Sequence, residues 1–328
     1  MSAEQSTAEK NRQSLAKTIW MDHGMLVVAV VMFIFFSFYN ENFFTIRNQR
    51  ALALAVSMTG MVACTMMLVL ASGNFDMSCG AVVACTGVVA AVVITRLSPS
   101  LGGGSIFVGI AVALLVGLLV GLVNGLTIAY ARINALITTL ATMQITRGAG
   151  YIIGDGRAVG IAQEGFFKLG NNSWIGIPIP VYITVICFIV FGVILQKTAF
   201  GRNTLAIGGN EEAANLAGIR VASHKLKLFV IHGVMSAFAG IVLASRMTSG
   251  QPTTSQGFEL DVISSCVLGG ISMAGGIASI WYAFAGVMIN GMVQNVMNLE
   301  NVQTFWQYVA RGLILLVAVI FDRYKQRR

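Results

Sequence analysis

The sequence predicts an all-α integral membrane protein with about ten transmembrane helices, and three observations predict it. First, 56% of residues are hydrophobic, only 10% are charged, and the mean hydropathy is +0.78. A soluble chain carries about 25% charged residues because its surface faces water, so lipid must solvate much of this exterior. Second, the apolar residues fall in long blocks rather than in alternating or amphipathic patterns. Third, 36 glycines stand beside only 4 prolines, and glycine lets spanning helices approach closely.

A helix needs about 20 mostly apolar residues to cross the hydrocarbon core. Residues 1–24 are mostly polar and precede the membrane. The first span, 25–39, leads into FSFYNENFF with no small-residue cleavage site, so it reads as an uncleaved anchor rather than a removed signal peptide. Further spans are expected at 51–71, 78–95, 106–130, 134–153, 179–196, 226–246, 259–273, 277–298 and 306–322. The first and eighth are short, the fifth is polar for a span, and Gly-rich stretches stand where they would break the eighth and ninth. Residues 25–322 thus form one transmembrane domain. Two water-soluble stretches interrupt it, 154–178 and 197–225, and a basic tail, 323–328, follows it.

An even number of spans puts both termini on one side, and Lys/Arg placement selects the side. With the termini cytoplasmic, the inner segments hold Lys10, Arg12, Lys17, Arg132, Lys197, Arg202, Arg220, Lys225, Lys227, Arg323, Lys325, Arg327 and Arg328. The outer segments and span ends hold only Arg47, Arg50, Arg96, Arg157, Lys168 and Arg246. This asymmetry accounts for most of the net charge of +8, so no nucleic-acid partner is needed to explain it. It makes 154–178 external and 197–225 cytoplasmic.

Metal and catalytic chemistry find little footing. Cys64, Cys79, Cys85, Cys187 and Cys266 lie in or beside apolar blocks with no C-x-x-C pair and no neighbouring histidine, as small buried hydrophobes do. His23, His224 and His232 lack a ligand cluster at metal spacing, and no serine sits in G-x-S-x-G. No catalytic residue and no bound metal or cofactor is expected of this chain.

An internal echo is visible. LASGNFDMS at 70–78 precedes GLVNG at 121–125, and GFELDVIS at 257–264 precedes GVMING at 286–291. The two halves enter the membrane in opposite directions, which fits an inverted repeat; chance likeness between small-residue helices is the alternative.

The cytoplasmic stretch reads KTAFGRNTLAIGGNEEAANLAGIRVASHK over 197–225. Gly208 and Gly209 predict a flexible turn, and Asn210 is a helix N-cap. Glu211 and Glu212 follow in the first turn, where the helix dipole favours carboxylates. Ala213, Ala214 and Leu216 continue the helix, and Gly218 is a C-terminal stop. Such a helix is either an ordinary capped loop or a peg that docks into a soluble partner.

FGRNTLAIGGNEEAANLAGI in this stretch resembles the cytoplasmic signature of permease subunits in the ribose, xylose and arabinose group of bacterial ABC importers. INALITTLATMQITRGAGYII (133–153), LASRMTSGQPTTSQGFELDVISSCVLGGISMAGG (243–276) and YVARGLILLVAVIFDRYKQ (308–326) extend the resemblance over nearly the whole chain, closest to the L-arabinose branch. The resemblance implies a homodimer in the bacterial inner membrane, two ATPase subunits below it and a periplasmic sugar-binding protein above. It implies that the stretch couples to the ATPase through Gly201, Arg202, Asn203, Gly208, Gly209, Asn210, Glu211, Glu212, Ala213, Ala214 and Gly218. ATP and Mg would belong to that partner, since no G-x-x-x-x-G-K-[ST] phosphate loop is present here.

For the translocation path the fifth span is the candidate. Asn134, Thr138 and Thr142 are four apart and share a helical face; Thr139, Gln144 and Thr146 add polar groups. Neutral hydroxyls and amides suit a sugar, yet threonines also bond their own backbone and glue helices together. Arg147 and Arg311 are costly at membrane depth unless paired, with Asp76, Glu259 and Asp261 as available acids. Arg47, Arg50, Arg157 and Arg246 are candidates to meet acidic patches on a binding protein, by charge steering. The rival functions are a gradient-driven or passive sugar transporter and a membrane scaffold. The first would call for a mid-span acid, and none is evident.

Overall fold

The computed structural model describes residues 24–326, which are mostly helical. The segment expected over 1–24 lies outside them save for Gly24, as do Arg327 and Arg328 of the basic tail. Helices α1 (Gly24–Tyr39), α2 (Ile46–Ala71), α3 (Cys79–Leu101), α4 (Gly104–Ala129) and α5 (Ala135–Ile153) come first. A surface stretch then carries β1 (Val159–Gly160), α6 (Glu164–Asn171), β2 (Ser173–Trp174) and β3 (Ile177–Pro178). Helix α7 (Ile179–Lys197) leads to the short α8 (Ala199–Gly209) and α9 (Glu211–Leu216), then the long α10 (Val221–Met247). After β4 (Ser249–Gly250) come α11 (Phe258–Gly269), α12 (Ile280–Leu299) and α13 (Thr304–Gln326).

Helices α2, α3, α4, α7 and α10 are each long and apolar enough to cross a membrane. The other five expected spans coincide with α1, α5, α11, α12 and α13, which are shorter or less apolar. The 12 residues of α11 reach about 18 Å at 1.5 Å per residue, well short of a bilayer core of about 30 Å. Glycines bound it on both sides: Gly257 precedes it at φ 75° and Gly270 ends it at φ 111°. Helices α11 and α12 are each continuous, so the Gly-rich stretch 270–279 forms the turn between them and ends the eighth expected span early rather than breaking the eighth or the ninth.

Two packing blocks share the core. Helix α10 lies against α3 and α4, helix α2 lies against α11 and α12, and α2 and α10 cross each other. The first block closes on a glycine stripe. Gly117, Gly121 and Gly125 of α4 are four apart and so share a face. A methyl group added to any of them would run into the backbone of α10, at Gly233, Phe229 or Leu226 respectively. With no hydrophobic force between helices in lipid, such backbone approach supplies the packing. At the crossing, buried Thr65 Oγ1 and His232 Nδ1 are 2.8 Å apart. The N-terminal turns of α3 and α11 also meet, Gly80 against the Glu259 carboxylate.

The stretch 154–178 folds over the end of α10. β1 pairs antiparallel with β4, Val159 opposite Gly250, while β2 and β3 form their own hairpin before α7. Ser245 Oγ donates to the Phe166 carbonyl at 2.6 Å and accepts the Gly170 N–H at 2.8 Å, which seats α6.

Candidate coupling and translocation site

The stretch 197–225 forms a compact projection at one end of the bundle. Thr198 caps α8 by accepting the Gly201 N–H at 3.2 Å. Asn210 caps α9 by accepting the Ala213 N–H at 2.9 Å, with Glu211 and Glu212 in the first turn. Helix α9 ends at Leu216, and Gly218 adopts φ 85°. Gly208 and Gly209 close α8 rather than forming a loose turn. The reason is packing: a side chain on Gly208 would overlap the Ala71 carbonyl and the Gly276 amide, where α2 ends and the 270–279 turn returns. Gly201 sits equally close to the Ile194 and Leu195 carbonyls of α7. Buried Thr204 Oγ1 lies 2.8 Å from His224 Nε2, and the Phe200 ring stands 4.4 Å from the imidazole.

The projecting side of this unit is mixed. Arg202, Glu211, Glu212 and Ala213 are exposed, Asn203 is half-buried, and Ala214 is buried beneath them. Glu211 pairs with Lys225 at 2.6 Å. Leu216 is 84% exposed on this polar surface. Its position was legible as a helix former, but nothing in the local sequence marked it as the outward apolar residue.

Beside α9 opens a vestibule of about 1250 Å³. Its wall includes Gly73 and Asn74 after α2, Tyr130, Arg132 and Asn134 at the α4–α5 turn, and Glu211 and Glu212. Of the residues expected on the path, Asn134 lines this space and also caps α5 by accepting the Leu136 N–H at 2.9 Å. Thr138, Thr139, Thr142 and Thr146 form the buried face of α5, and Gln144 is on its exposed face. Thr139 Oγ1 accepts the Met77 N–H at 3.1 Å, and Thr142 Oγ1 donates to Asn124 Oδ1 at 2.7 Å. Asn124 Nδ2 in turn reaches Ser78 Oγ at 3.0 Å, and Ser78 Oγ donates to Asp76 Oδ1 at 2.6 Å. Thr139 and Thr142 thus fasten α5 to the residues before α3 and to α4, while the buried Thr138 hydroxyl has no partner among the described residues.

The two deep arginines converge on one segment. Arg147 donates to the carbonyls of Pro252, Thr254 and Ser255, the shortest at 2.6 Å. Arg311 pairs with Asp261 at 3.2 Å. The approach to α11 is thus held from α5 on one side and from α13 on the other. Asp76, the third acid, is satisfied instead by Ser78 and Asn124.

At the opposite end of the bundle, Arg47 and Arg50 are exposed at the start of α2. Arg157 pairs with Asp155 at 2.6 Å, both side chains at least 80% exposed. Arg246 is half-buried and lines a second cavity, of about 360 Å³. Among the described residues no group of three or more metal-ligating side chains occurs.

A permease family described as "Branched-chain amino acid transport system / permease component" matches residues 49–319. The chain is 58% identical to the L-arabinose transport system permease protein of Escherichia coli K12, over 98% of this chain and 96% of that one. It is 48% identical to the L-arabinose ABC transporter permease protein of Azospirillum brasilense, over 93% and 88% of the two chains. It is 38% identical to the ribose import permease protein of Bacillus subtilis, over 92% and 91%. No solved structure matches.

Proposed function

This chain belongs to that permease family, and we propose that it is the membrane subunit of an ATP-driven, binding-protein-dependent importer of L-arabinose. The observation that carries the sugar is the 58% identity, over nearly the full length of both chains, to a permease named for L-arabinose. The ATPase would be a separate cytoplasmic polypeptide carrying ATP and Mg, and the sugar would arrive on a periplasmic binding protein. A second copy of this chain would complete the pathway in the inner membrane. In this reading both termini face the cytoplasm, and all ten of the helices that coincide with expected spans lie at membrane depth.

The coupling residues are those of the α8–α9 unit: Gly201, Arg202, Asn203, Gly208, Gly209, Asn210, Glu211, Glu212, Ala213, Ala214 and Gly218, with Leu216 added as its apolar contact. An exposed leucine in a charged surface is the kind of anchor a partner's pocket buries. ATP-driven closure of the partner would displace this unit. The backbone contacts of Gly208 with Ala71 and Gly276 would carry the displacement to the end of α2 and the turn between α11 and α12. Packed backbone does not absorb such a shift by compression, so the helices move with it. The sugar would leave through the vestibule beside α9. The binding protein would dock on the opposite face, where Arg47, Arg50 and Arg157 are exposed.

An inverted repeat supports alternating access, and two features favour one here. The halves exchange neighbours, α10 packing on α3 and α4 while α2 packs on α11 and α12. Each half also repeats a buried polar knot. Asn124 Nδ2 is 3.0 Å from Ser78 Oγ, near Asp76; Asn290 Nδ2 is 3.0 Å from Ser265 Oγ, near Asp261.

The test is uptake of labelled L-arabinose into membrane vesicles containing the chain, its ATPase and the binding protein. The proposal expects uptake that needs ATP and binding protein and stops with vanadate. Uptake that needs neither, and responds to an ion gradient or to none, would identify a carrier instead.

A further inference from the structure

The stretch 154–178 ends in the β2–β3 hairpin, which runs straight into α7. Two residues, Ile175 and Gly176, join its strands. Both have positive φ, 51° and 77°, as the type I′ turn of a two-residue hairpin requires. That turn takes asparagine, aspartate or glycine, and a β-branched residue in the left-handed region is an outlier. Ile175 nevertheless sits there with its side chain 78% exposed, and Trp174 beside it is 65% exposed. The arrangement is twice unfavourable in water: the backbone is strained and an apolar side chain stays hydrated. Apolar surroundings for the side chain remove the second cost and offset the first.

The length of α7 sets the depth of this hairpin. Its 19 residues rise about 29 Å at 1.5 Å each, against a hydrocarbon core of about 30 Å. A span with no length to spare begins at the boundary, so Ile179 lies at the hydrocarbon edge and residues 173–178 lie in the headgroup layer. That layer is about 5–7 Å deep on each side, the reach of a hairpin with two residues per strand. The apolar surface also continues across the boundary. The Trp174 ring stands 5.6 Å from the Tyr182 ring, and Tyr182 Oη donates to the Trp174 carbonyl at 2.9 Å. Tyr182 shares a helical face with Val185, Ile186, Ile189 and Val193, all exposed. One apolar stripe thus runs up α7 and onto the hairpin.

We infer that the hairpin is a membrane anchor: Trp174, Ile175 and Ile177 enter the headgroup layer at the end of the bundle opposite α9, and their partner is the lipid surface. Tryptophan and tyrosine concentrate at that level because each joins an apolar ring to a polar group. A soluble partner fits less well. Residues 173–178 carry no charge to steer one, and a protein in water cannot cover the part of the stripe below the boundary. The Arg50 guanidinium, which lies over Gly176, pairs with lipid phosphate as readily as with a partner's carboxylate. Lipid then holds the α7 end of the stretch, while β1 and α6 stay seated on β4 and α10. The inference rests on α7 crossing the bilayer, and not on the sugar or the ATPase.

The experiment uses the full chain with its ATPase subunit in vesicles of phosphatidylethanolamine and phosphatidylglycerol. Ile175→Cys, or Ile177→Cys in a second preparation, carries a nitroxide, and the wild-type chain is labelled in parallel to subtract its own cysteines. Collisions are measured with oxygen, which concentrates in the bilayer, and with a nickel chelate, which stays in water. Relative to a nitroxide at Lys168→Cys on the exposed side of α6, the ratio of oxygen to nickel collisions is expected to rise at least about threefold at both hairpin positions, as for a side chain at the headgroup–acyl boundary. Adding the binding protein should leave the ratio unchanged, and Trp174→Gln should lower it about twofold. A ratio equal to that at Lys168 would put the hairpin in water and overturn the inference. So would shielding from both reagents, which places another protein chain over the tip, or a rise that appears only with the binding protein present. A raised ratio in vesicles with no ATP-dependent uptake of L-arabinose would instead retain the anchor and remove the importer reading.

Discussion

The stretches 154–178 and 197–225 both leave the helical bundle and return, each built around short helices, yet they mix side-chain and backbone anchoring in different proportions. The first combines side-chain bonds and a short strand with one close backbone approach: Ser245 bonds Phe166 and Gly170, Asn171 Nδ2 bonds the Ser245 carbonyl at 2.9 Å, β1 adds a two-residue ladder, and Gly170 lies against the Arg246 backbone. The second is held by backbone pressed on backbone, Gly201 on α7 and Gly208 on Ala71 and Gly276, with a buried Thr204–His224 bond behind it. A side-chain hydrogen bond is worth about 1 kcal/mol and can be remade nearby. Close-packed backbone has no such slack. In the proposed function the first stretch caps the end of α10 and the second acts as the lever.

The comparison can be broken most forcefully at Gly208. Gly208→Val drives a side chain into the Ala71 carbonyl and should abolish ATP-dependent uptake. Overpacking should also lower stability by roughly 1–3 kcal/mol, measured by thermal unfolding of the purified protein. Its neighbour Gly209 has open space around a Cβ, so Gly209→Ala should leave thermal unfolding unchanged. Equal effects at the two glycines would refute the lever. Next in size, Leu216→Asp should weaken retention of the ATPase subunit on co-purification by about tenfold, the scale of an interface anchor. Because Leu216 is exposed, unfolding should not shift.

On the cap, Ser245→Ala removes one acceptor and one donor in a buried place and should cost about 1–3 kcal/mol. Limited proteolysis within 154–178 should quicken while uptake persists. Smallest of all, Arg157→Ala should not change stability measurably, because exposed ion pairs contribute little. A slower association with the binding protein in the same variant, read from uptake at limiting binding protein, would mark Arg157 as part of the docking face.

Much of the lever was legible. The Asn210 cap, the two glutamates after it and the Gly218 stop are local chemistry and appear where the sequence puts them. The positions of the helices were legible from apolar blocks, and the end of α11 from its glycines. What was not legible is what depends on a partner far along the chain. Gly208 looks like turn chemistry until Ala71 and Gly276 are found against it. Which α5 threonines are committed to neighbours depends on Met77 and Asn124, which bond Thr139 and Thr142. Arg246 reads as one more outer cation, while its place in an amide-lined cavity depends on α2 and α12. Arg147 and Arg311 each had three acids available, and only packing assigns Asp261 to Arg311 and backbone carbonyls to Arg147.

The central claim is that the α8–α9 unit connects this bundle to another chain's ATP hydrolysis. Its most direct test is to measure sugar uptake and binding-protein-stimulated ATP hydrolysis together, in vesicles carrying the Glu211→Lys, Glu212→Lys double variant at wild-type membrane levels. The account predicts that uptake falls to background and that the binding protein no longer stimulates hydrolysis. Normal uptake together with normal stimulated hydrolysis in that variant would contradict it.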